Sequence, residues 1–279
     1  MTRRLLVVVA LAALVAGAGC EGLRIRYLMN KGHKQYKAQN YEAALLEYRK
    51  IVAIDANNYV GNYQIAMSNL AMYHPGSSHP KDQKACQDAI TAFEKLLTLE
   101  APDGETADKV KKYYLSLLTA AGQEERAVTY IEGELRKNPS DASLWSELAS
   151  YLAKGGDFPK TLAAFEKAAE LDSKKKERWY TVGVVCWERS YKGGASVTDE
   201  ERTVLIEKGQ AALDKALAID RDYFDALAYK NLLHREKAKV LANMQDLEAA
   251  QDEIRKAEAF TKRAMEARKK QQLAQQAPK

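Results

Sequence analysis

The side chains in this chain that could carry out chemistry are few: three cysteines and four histidines in 279 residues. His74 and His79 share a short polar stretch, with Cys86 a little downstream. Imidazole and thiolate are the donors zinc prefers, but a site takes about four ligands in rigid geometry. No C-x-x-C and no zinc-type Cys/His spacing occurs. The two histidines therefore read as solvated loop residues, and no metal is expected. Cys186 falls on an apolar helix position and reads as a buried thiol. The adjacent carboxylates Glu124 and Glu125 stand at a helix start, where negative charge favours the helix dipole; that is capping, not acid–base catalysis. G-x-x-x-x-G-K, H-E-x-x-H and G-x-S-x-G are all missing. With no nucleophile–base pair to build on, the chain is not expected to be an enzyme, to hold a cofactor or to take a small-molecule substrate.

The remaining cysteine, Cys20, closes the stretch MTRRLLVVVALAALVAGAGC. Arg3 and Arg4 precede an apolar run from Leu5 to Val15, and small residues follow, which is the three-part layout of a secretory signal. The run is too short to span a bilayer, where about 20 apolar residues are wanted. Small residues ahead of the cysteine let a peptidase approach the backbone. The stretch resembles the lipobox of bacterial lipoproteins, in which the cysteine is lipidated and becomes the new N-terminus. It departs from that pattern at Gly17, where an aliphatic residue is preferred. The resemblance implies a signal peptide over 1–19, a lipidated N-terminus at 20–22 with acyl chains such as palmitate on Cys20, and a membrane contact through that anchor. It also implies a place in the bacterial cell envelope, facing the periplasm at the outer membrane. The alternative is ordinary A-x-A cleavage at Ala16–Ala18, which would leave a soluble periplasmic protein.

The positioning scaffold is helical. The chain is rich in Ala, Leu, Lys and Glu and poor in Pro. Its formal net charge is +5, or +3 once Arg3 and Arg4 are set aside. That lacks the concentrated basic face nucleic acid requires, so no nucleic-acid partner is expected. Trp145 and Trp179 lie 34 residues apart, and so do Pro139 and Ser173. A fixed period of that length signals stacked helical hairpins, none of which can bury its apolar face alone. The best-formed unit has Trp145, Leu148, Ala149 and Leu152 on its first helix, then Phe158, Phe165 and Ala168 on its second. Four others fall in register: Gly32 with Ala44 and Tyr48; Ala66 with Ala89 and Phe93; Leu115 with Ala127 and Ile131; Trp179 and Gly183 with Leu213.

These residues resemble the tetratricopeptide repeat, whose first helix carries W-x-x-L-G-x-x-Y and whose second carries A-x-x-x-F-x-x-A. The resemblance implies an all-α, right-handed solenoid of about five to six hairpins over 23–242, with a weaker sixth unit starting at Phe224. It also implies that the large residue at position 4, Trp145 in the best-formed repeat, is buried and fills the gap left by a small residue at position 8. Two hairpins carry extra residues between positions 8 and 20, predicted as exposed loops near 73–84 and 190–202 that set partner choice. Asp246 is the expected N-cap of a capping helix over 243–272, with a thin stripe of Leu247, Ala250, Ile254, Ala257 and Met265; residues 273–279 are expected to be disordered.

In this family the first helices line an inner groove. Transferred residue by residue, the groove comprises Tyr36, Tyr63, Met67, Lys109, Lys112, Tyr180, Val184 and Trp187, with Ser143, Ser146 and Ser150 in its middle. A protein or peptide partner with apolar anchors would suit such a wall. The carboxylate clamp of the chaperone-adaptor branch is not matched, because Met29 and His33 occupy its first positions and Tyr113 replaces its arginine. The functional expectation is a non-catalytic adaptor of the cell envelope that assists assembly of an outer-membrane, pilus or secretion complex. The alternative is a structural repeat protein that binds peptidoglycan or glycan through serine and tyrosine hydroxyls.

Overall fold

The computed structural model describes residues 21–276; the signal segment and Cys20 lie outside them. Among the described residues there are twelve α-helices, one 3-10 turn at Gly194–Ser196 and no strand. The helices are α1 (21–37), α2 (Tyr41–Ile54), α3 (Tyr59–Met72), α4 (Pro80–Leu97), α5 (Gly104–Ala120), α6 (Glu124–Lys137), α7 (Ala142–Lys154), α8 (Phe158–Leu171), α9 (Lys176–Lys192), α10 (Asp199–Ile219), α11 (Phe224–Asn243) and α12 (Leu247–Gln276). The fold is all-α, built of consecutive helical hairpins of the tetratricopeptide type. It divides into two compact units that meet in sequence within α6, Met1–Ala127 and Val128–Lys279. Each unit is described on its own.

In the first unit, Leu28, Ala44, Tyr48 and Ile51 form the core between α1 and α2. A Cβ placed on Gly32 would come within 2.4 Å of Tyr48 Cε1. In the second unit, a Cβ on Gly183 would lie 2.5 Å from Leu213 Cγ. The gap at the small position is therefore filled by the hairpin's own second helix, and not by the position-4 residue as expected. Flush contact at this point lets α1 and α2, and again α9 and α10, approach closely enough to bury Tyr48 and Leu213 completely.

The position-4 residue has a different task. The indole N–H of Trp145 donates to the Pro139 carbonyl at 2.9 Å, and that of Trp179 donates to the Ser173 carbonyl at 3.0 Å. Asn62 occupies the same position in its repeat, and its amide donates to the Ala56 carbonyl at 3.1 Å. Each bond reaches six residues back and ties the first helix to the turn that enters the repeat. Trp179 is also covered, 7% exposed, with the Lys215 ammonium 3.9 Å from its ring centroid. Trp145, expected to be buried, remains partly exposed. Its repeat-equivalent hydrogen bond places only the edge of the indole.

The turn inside four of the hairpins also recurs. Gly122 and Gly156 adopt positive φ, at 66° and 81°, and so do Gln39 and Gln245, at 60° and 66°. Each stands five residues before the small position of its second helix: Ala127, Thr161, Ala44 and Ala250. Gly155, the neighbour of Gly156, has an ordinary helical φ of −73°. The left-handed Gln245 marks α11 and α12 as one hairpin. The capping helix expected over 243–272 is thus the second helix of the sixth unit. Asp246 caps it through Ala249 N–H at 3.1 Å.

The stripe α12 buries is also different from the predicted one. Ala250, Glu253, Ala257, Ala264 and Ala267 are buried, whereas Leu247 and Met265 are each 69% exposed. Alanine faces allow α11 and α12 to lie close, and the longer side chains are left pointing outward. Helix α12 runs on through Gln276, beyond the expected start of the tail at 273.

The two predicted loops are shorter than expected, because part of each is helix. Pro80 opens α4 with the His79 side chain accepting from Lys81 N–H, so only 73–79 is irregular. Thr198 and Glu201 form a reciprocal capping box that starts α10, so only 193–198 separates it from α9. Pro at the first turn and T-x-x-E are both helix-start signals, and each claims residues that polarity alone assigns to a loop.

Two variants check this packing. Gly183→Val should destabilise by about 1–3 kcal/mol, the range for overpacking a filled core, read by urea unfolding. Trp179→Ala should cost about 3–5 kcal/mol and Trp145→Ala clearly less, because only Trp179 is closed off from solvent.

Candidate functional site

In the first unit, the predicted residues Tyr36, Tyr63 and Lys109 come together with three tyrosines not expected in the groove, Tyr41, Tyr59 and Tyr113, while Met67 is half-buried on α3. Tyr36 sits edge-on to Tyr41, with ring centroids 5.1 Å apart. Its phenol is pushed up by burial first, then by Tyr41, Tyr63 and Tyr113. Tyr63 is raised by burial and by Tyr113, and Lys109 pulls it the other way. Tyr113, 38% exposed, stacks on Phe93 with centroids 6.2 Å apart. Tyr59 adjoins Tyr63 and Asp103. Lys109 is exposed and paired with Glu105 at 2.6 Å, and Lys112 is exposed. The result is a half-buried phenol cluster edged by lysine, which offers aromatic faces and hydroxyls to a partner.

In the second unit, Tyr180, Val184 and Trp187 were expected to stand clear of the packing. The structure corrects this for the two aromatics. Both pack against the unit's core, because α11 lies over that side of α9 and inserts Tyr229. Tyr229 is edge-on to both, at 5.5 Å from Tyr180 and 5.3 Å from Trp187. Tyr223 completes the group at 5.5 Å from Tyr180. Burial, reinforced by Tyr229 and Asp225, pushes the Tyr180 phenol well up. The exposed aromatic is instead Tyr191, 53% exposed and stacked in parallel on Trp187 at 5.1 Å. The i, i+4 spacing of Trp187 and Tyr191 was the signal that could have found it. Val184 is half-buried.

The serine-rich middle is also occupied. Arg178 donates to the Ala142 carbonyl at 2.9 Å, to Ser146 Oγ at 2.7 Å and to Ser143 Oγ at 3.3 Å, and its Nε pairs with Asp172 at 2.9 Å. Two of the three serine hydroxyls are thus held by a guanidinium, while Ser150 bonds its own helix at the Ser146 carbonyl, 3.0 Å away.

The loop histidines have structural partners. His74 pairs with Asp82 at 2.9 Å, Ser77 Oγ donates to the same carboxylate at 2.5 Å, and His79 caps α4. Ser77 first and His74 second hold the Asp82 carboxyl below its usual range. Cys86 and Cys186 are both buried, and burial pushes the Cys186 thiol up to about 12, which leaves it unreactive at neutral pH. No group of three or more potential ligands among the described residues is arranged to hold a metal.

The lengthened helices line clefts within their own units. One, of ≈ 610 Å³, lies among Tyr41, Leu45, Leu46 and Ala85; the other, of ≈ 560 Å³, lies among Phe158, Leu162, Val204 and Leu205. Matching rim positions carry ion pairs of opposite sense, Arg49–Asp88 at 3.6 Å and Lys208–Glu166 at 2.9 Å.

One buried titratable couple lies apart from these faces. His234 on α11 meets Glu253 on α12 at 2.5 Å, and Phe260 stacks on the imidazole. Lys256 and Lys237 approach Glu253 at 2.9 and 4.0 Å, and Lys230 adds positive charge near the ring. Burial lowers His234, with Glu253 opposing, whereas the His234 and Lys256 hydrogen bonds outweigh burial and hold Glu253 low.

No family model matches the chain, and no curated protein matches it. Similar solved structures include YrrB, a TPR protein with an unusual peptide-binding site, at 22% identity over 72% of this chain and 88% of that one, TM-score 0.39. The C-terminal part of a TPR repeat-containing protein from Cytophaga hutchinsonii is 14% identical over 87% of this chain and 78% of that one, TM-score 0.49. A TPR repeats protein from Bacteroides fragilis is 14% identical over 77% of this chain and 98% of that one, TM-score 0.48.

The couple predicts a pH response. Because burial holds His234 below 6.5, the unfolded chain takes up a proton that the folded chain resists as pH falls below that value. Stability should therefore decline from about pH 6.5 downward. Glu253, held below 4.5, adds stability that is complete above that pH and lost beneath it. His234→Gln should flatten the limb that begins below about pH 6.5 and leave the loss due to Glu253 in place, as read from melting temperature against pH.

Proposed function

We propose that the protein is a non-catalytic scaffold that binds a protein partner at the bacterial cell envelope. In this reading a lipid on Cys20 tethers it, it faces the periplasm from the outer membrane, and it assists assembly of an outer-membrane, pilus or secretion complex. The observation that carries the binding role is a stack of hairpins whose first helices present aromatic clusters, Tyr36–Tyr63–Tyr113 in one unit and Trp187–Tyr191 in the other. Soluble surfaces limit exposed aromatic groups unless a partner covers them. Aromatic side chains also supply much of the energy at protein interfaces.

The reactive side chains support a non-catalytic role: the described cysteines are buried, and the loop histidines are committed to Asp82 and to the α4 cap. The glycan alternative has lost ground, because the Ser143 and Ser146 hydroxyls it would use are bound by Arg178. The anchor rests on the sequence layout of residues 1–20. No helix among the described residues is long and apolar enough to cross a membrane, so in this reading the lipid does the tethering. Two acyl signals are needed for stable anchoring, which a multiply acylated N-terminal cysteine would supply.

Crosslinking in intact cells followed by mass spectrometry tests the scaffold. It should recover envelope proteins joined to first-helix residues of either unit. The anchor is tested separately. Cys20→Ala should move the protein from the membrane fraction to the soluble fraction, and the wild-type N-terminal peptide should carry added acyl mass on Cys20. A mature N-terminus at Gly19 with an unmodified Cys20 would overturn it.

A further inference from the structure

The last hairpin is long. Helix α11 has 20 residues and α12 has 30, against 14 in α3 and 18 in α4. Its α11 and the start of α12 combine with the C-terminal end of α9 to line an open cavity of ≈ 710 Å³ within the second unit. The walls are apolar: Trp187 and Tyr191 from α9, Leu232 and Ala242 from α11, Ile254 from α12. Tyr191 keeps its ring half in solvent, braced by the parallel stack on Trp187. The volume suits one or two large side chains.

The charge beside this wall is one-sided. Lys239 lies 5.1 Å from the Tyr191 ring centroid, but Glu236 neutralises it at 2.7 Å. Arg235 lines the same cavity and is exposed. Its Nε donates to Asn231 Oδ1 at 2.9 Å, and it forms no ion pair among the described residues. That single bond orients the guanidinium and leaves the terminal fork of N–H groups, which matches a carboxylate in geometry and charge.

We propose that this cavity binds an internal stretch of a partner protein in which a large apolar side chain stands next to Asp or Glu. The proposal rests on the scaffold reading above and names the chemistry of its partner. The apolar side chain enters between Tyr191 and Ile254, and the carboxylate pairs with the Arg235 fork. A flanking acid fits better than a chain terminus, because terminal carboxylates are captured by nests of several donors, and only one cation here is unpaired. The apolar side chain, once seated, shields the ion pair on one side, where screening by water is then reduced.

The test is fluorescence polarisation on the full chain, with short labelled peptides blocked at both ends. Each carries a Phe or Leu anchor flanked by Glu, Gln or Lys. Glu peptides should bind about tenfold or more tighter than Lys peptides. Arg235→Glu, at an exposed position, should reverse that order, and Arg235→Gln should level it. Tyr191→Ala, also at an exposed position, should weaken Glu peptides by about tenfold. Equal binding of Glu and Lys peptides, an acid preference that survives Arg235→Glu, no binding by any peptide, or binding only when the terminal carboxylate is left free would each overturn the proposal. Binding indifferent to both Arg235 and Tyr191 removes this cavity and leaves the scaffold standing. The scaffold itself falls only if crosslinking in cells yields no partner.

Discussion

The structure depends on one steric constraint: the first helix of a hairpin must be flat where the second helix crosses it. Gly32 leaves no room for a Cβ against Tyr48, and Gly183 leaves none against Leu213. Burying a tyrosine or leucine stabilises a protein by about 1.5–3 kcal/mol, and that gain is available only if the neighbouring backbone comes within contact distance. A glycine inside a helix gives up about 1 kcal/mol of helix propensity, and the buried side chain more than offsets it. Tyr48 shows the tension in this arrangement. Its ring is fully buried, and its hydroxyl is left without a hydrogen-bond partner among the described residues.

Once the helices of a hairpin are in contact, its two ends need fixing. At one end the position-4 side chain reaches back to the carbonyl six residues earlier. Indole and carboxamide both perform this, since each presents an N–H at the end of a planar group. At the other end the chain reverses through a residue with positive φ. Glycine meets that demand freely, whereas Gln39 and Gln245 accept it at some conformational cost. The recurrence of both devices explains why the repeat survives such variation in side chains: what repeats is a hydrogen-bond reach and a backbone conformation.

The surface follows from how the hairpins differ in length. In the second unit, the lengthened α10 and α11 pack around α9, and Tyr229 is drawn between Tyr180 and Trp187. Residues that would face an open groove in a uniform array become part of the core, and the exposed aromatic surface shifts one turn along, to Tyr191. In the same unit Arg178 claims the serine hydroxyls of α7. The shorter α1 and α3 of the first unit leave their tyrosines half-exposed.

By itself the sequence determined the helical class, the period and most of the core, because these follow from short-range spacing. Small residues at Gly32, Ala66, Ala149 and Gly183, with large ones at Tyr48, Phe93 and Leu213, can be read from a single chain. The helix starts at Pro80 and Thr198 were also legible, since proline at a first turn and T-x-x-E are local signals. What only the tertiary structure decided is which faces remain open. The cover over Trp179 includes a lysine 36 residues further along, Lys215. The fate of Trp187 depends on Tyr229, and that of Ser146 on Arg178. Pairings of this kind are set by helix length and crossing, which a linear pattern does not encode. The alanine face of α12 shows the same limit. Its leucine and methionine mark the hydrophobic stripe in sequence, yet close approach of α11 favours the smaller side chains and turns the larger ones out to solvent.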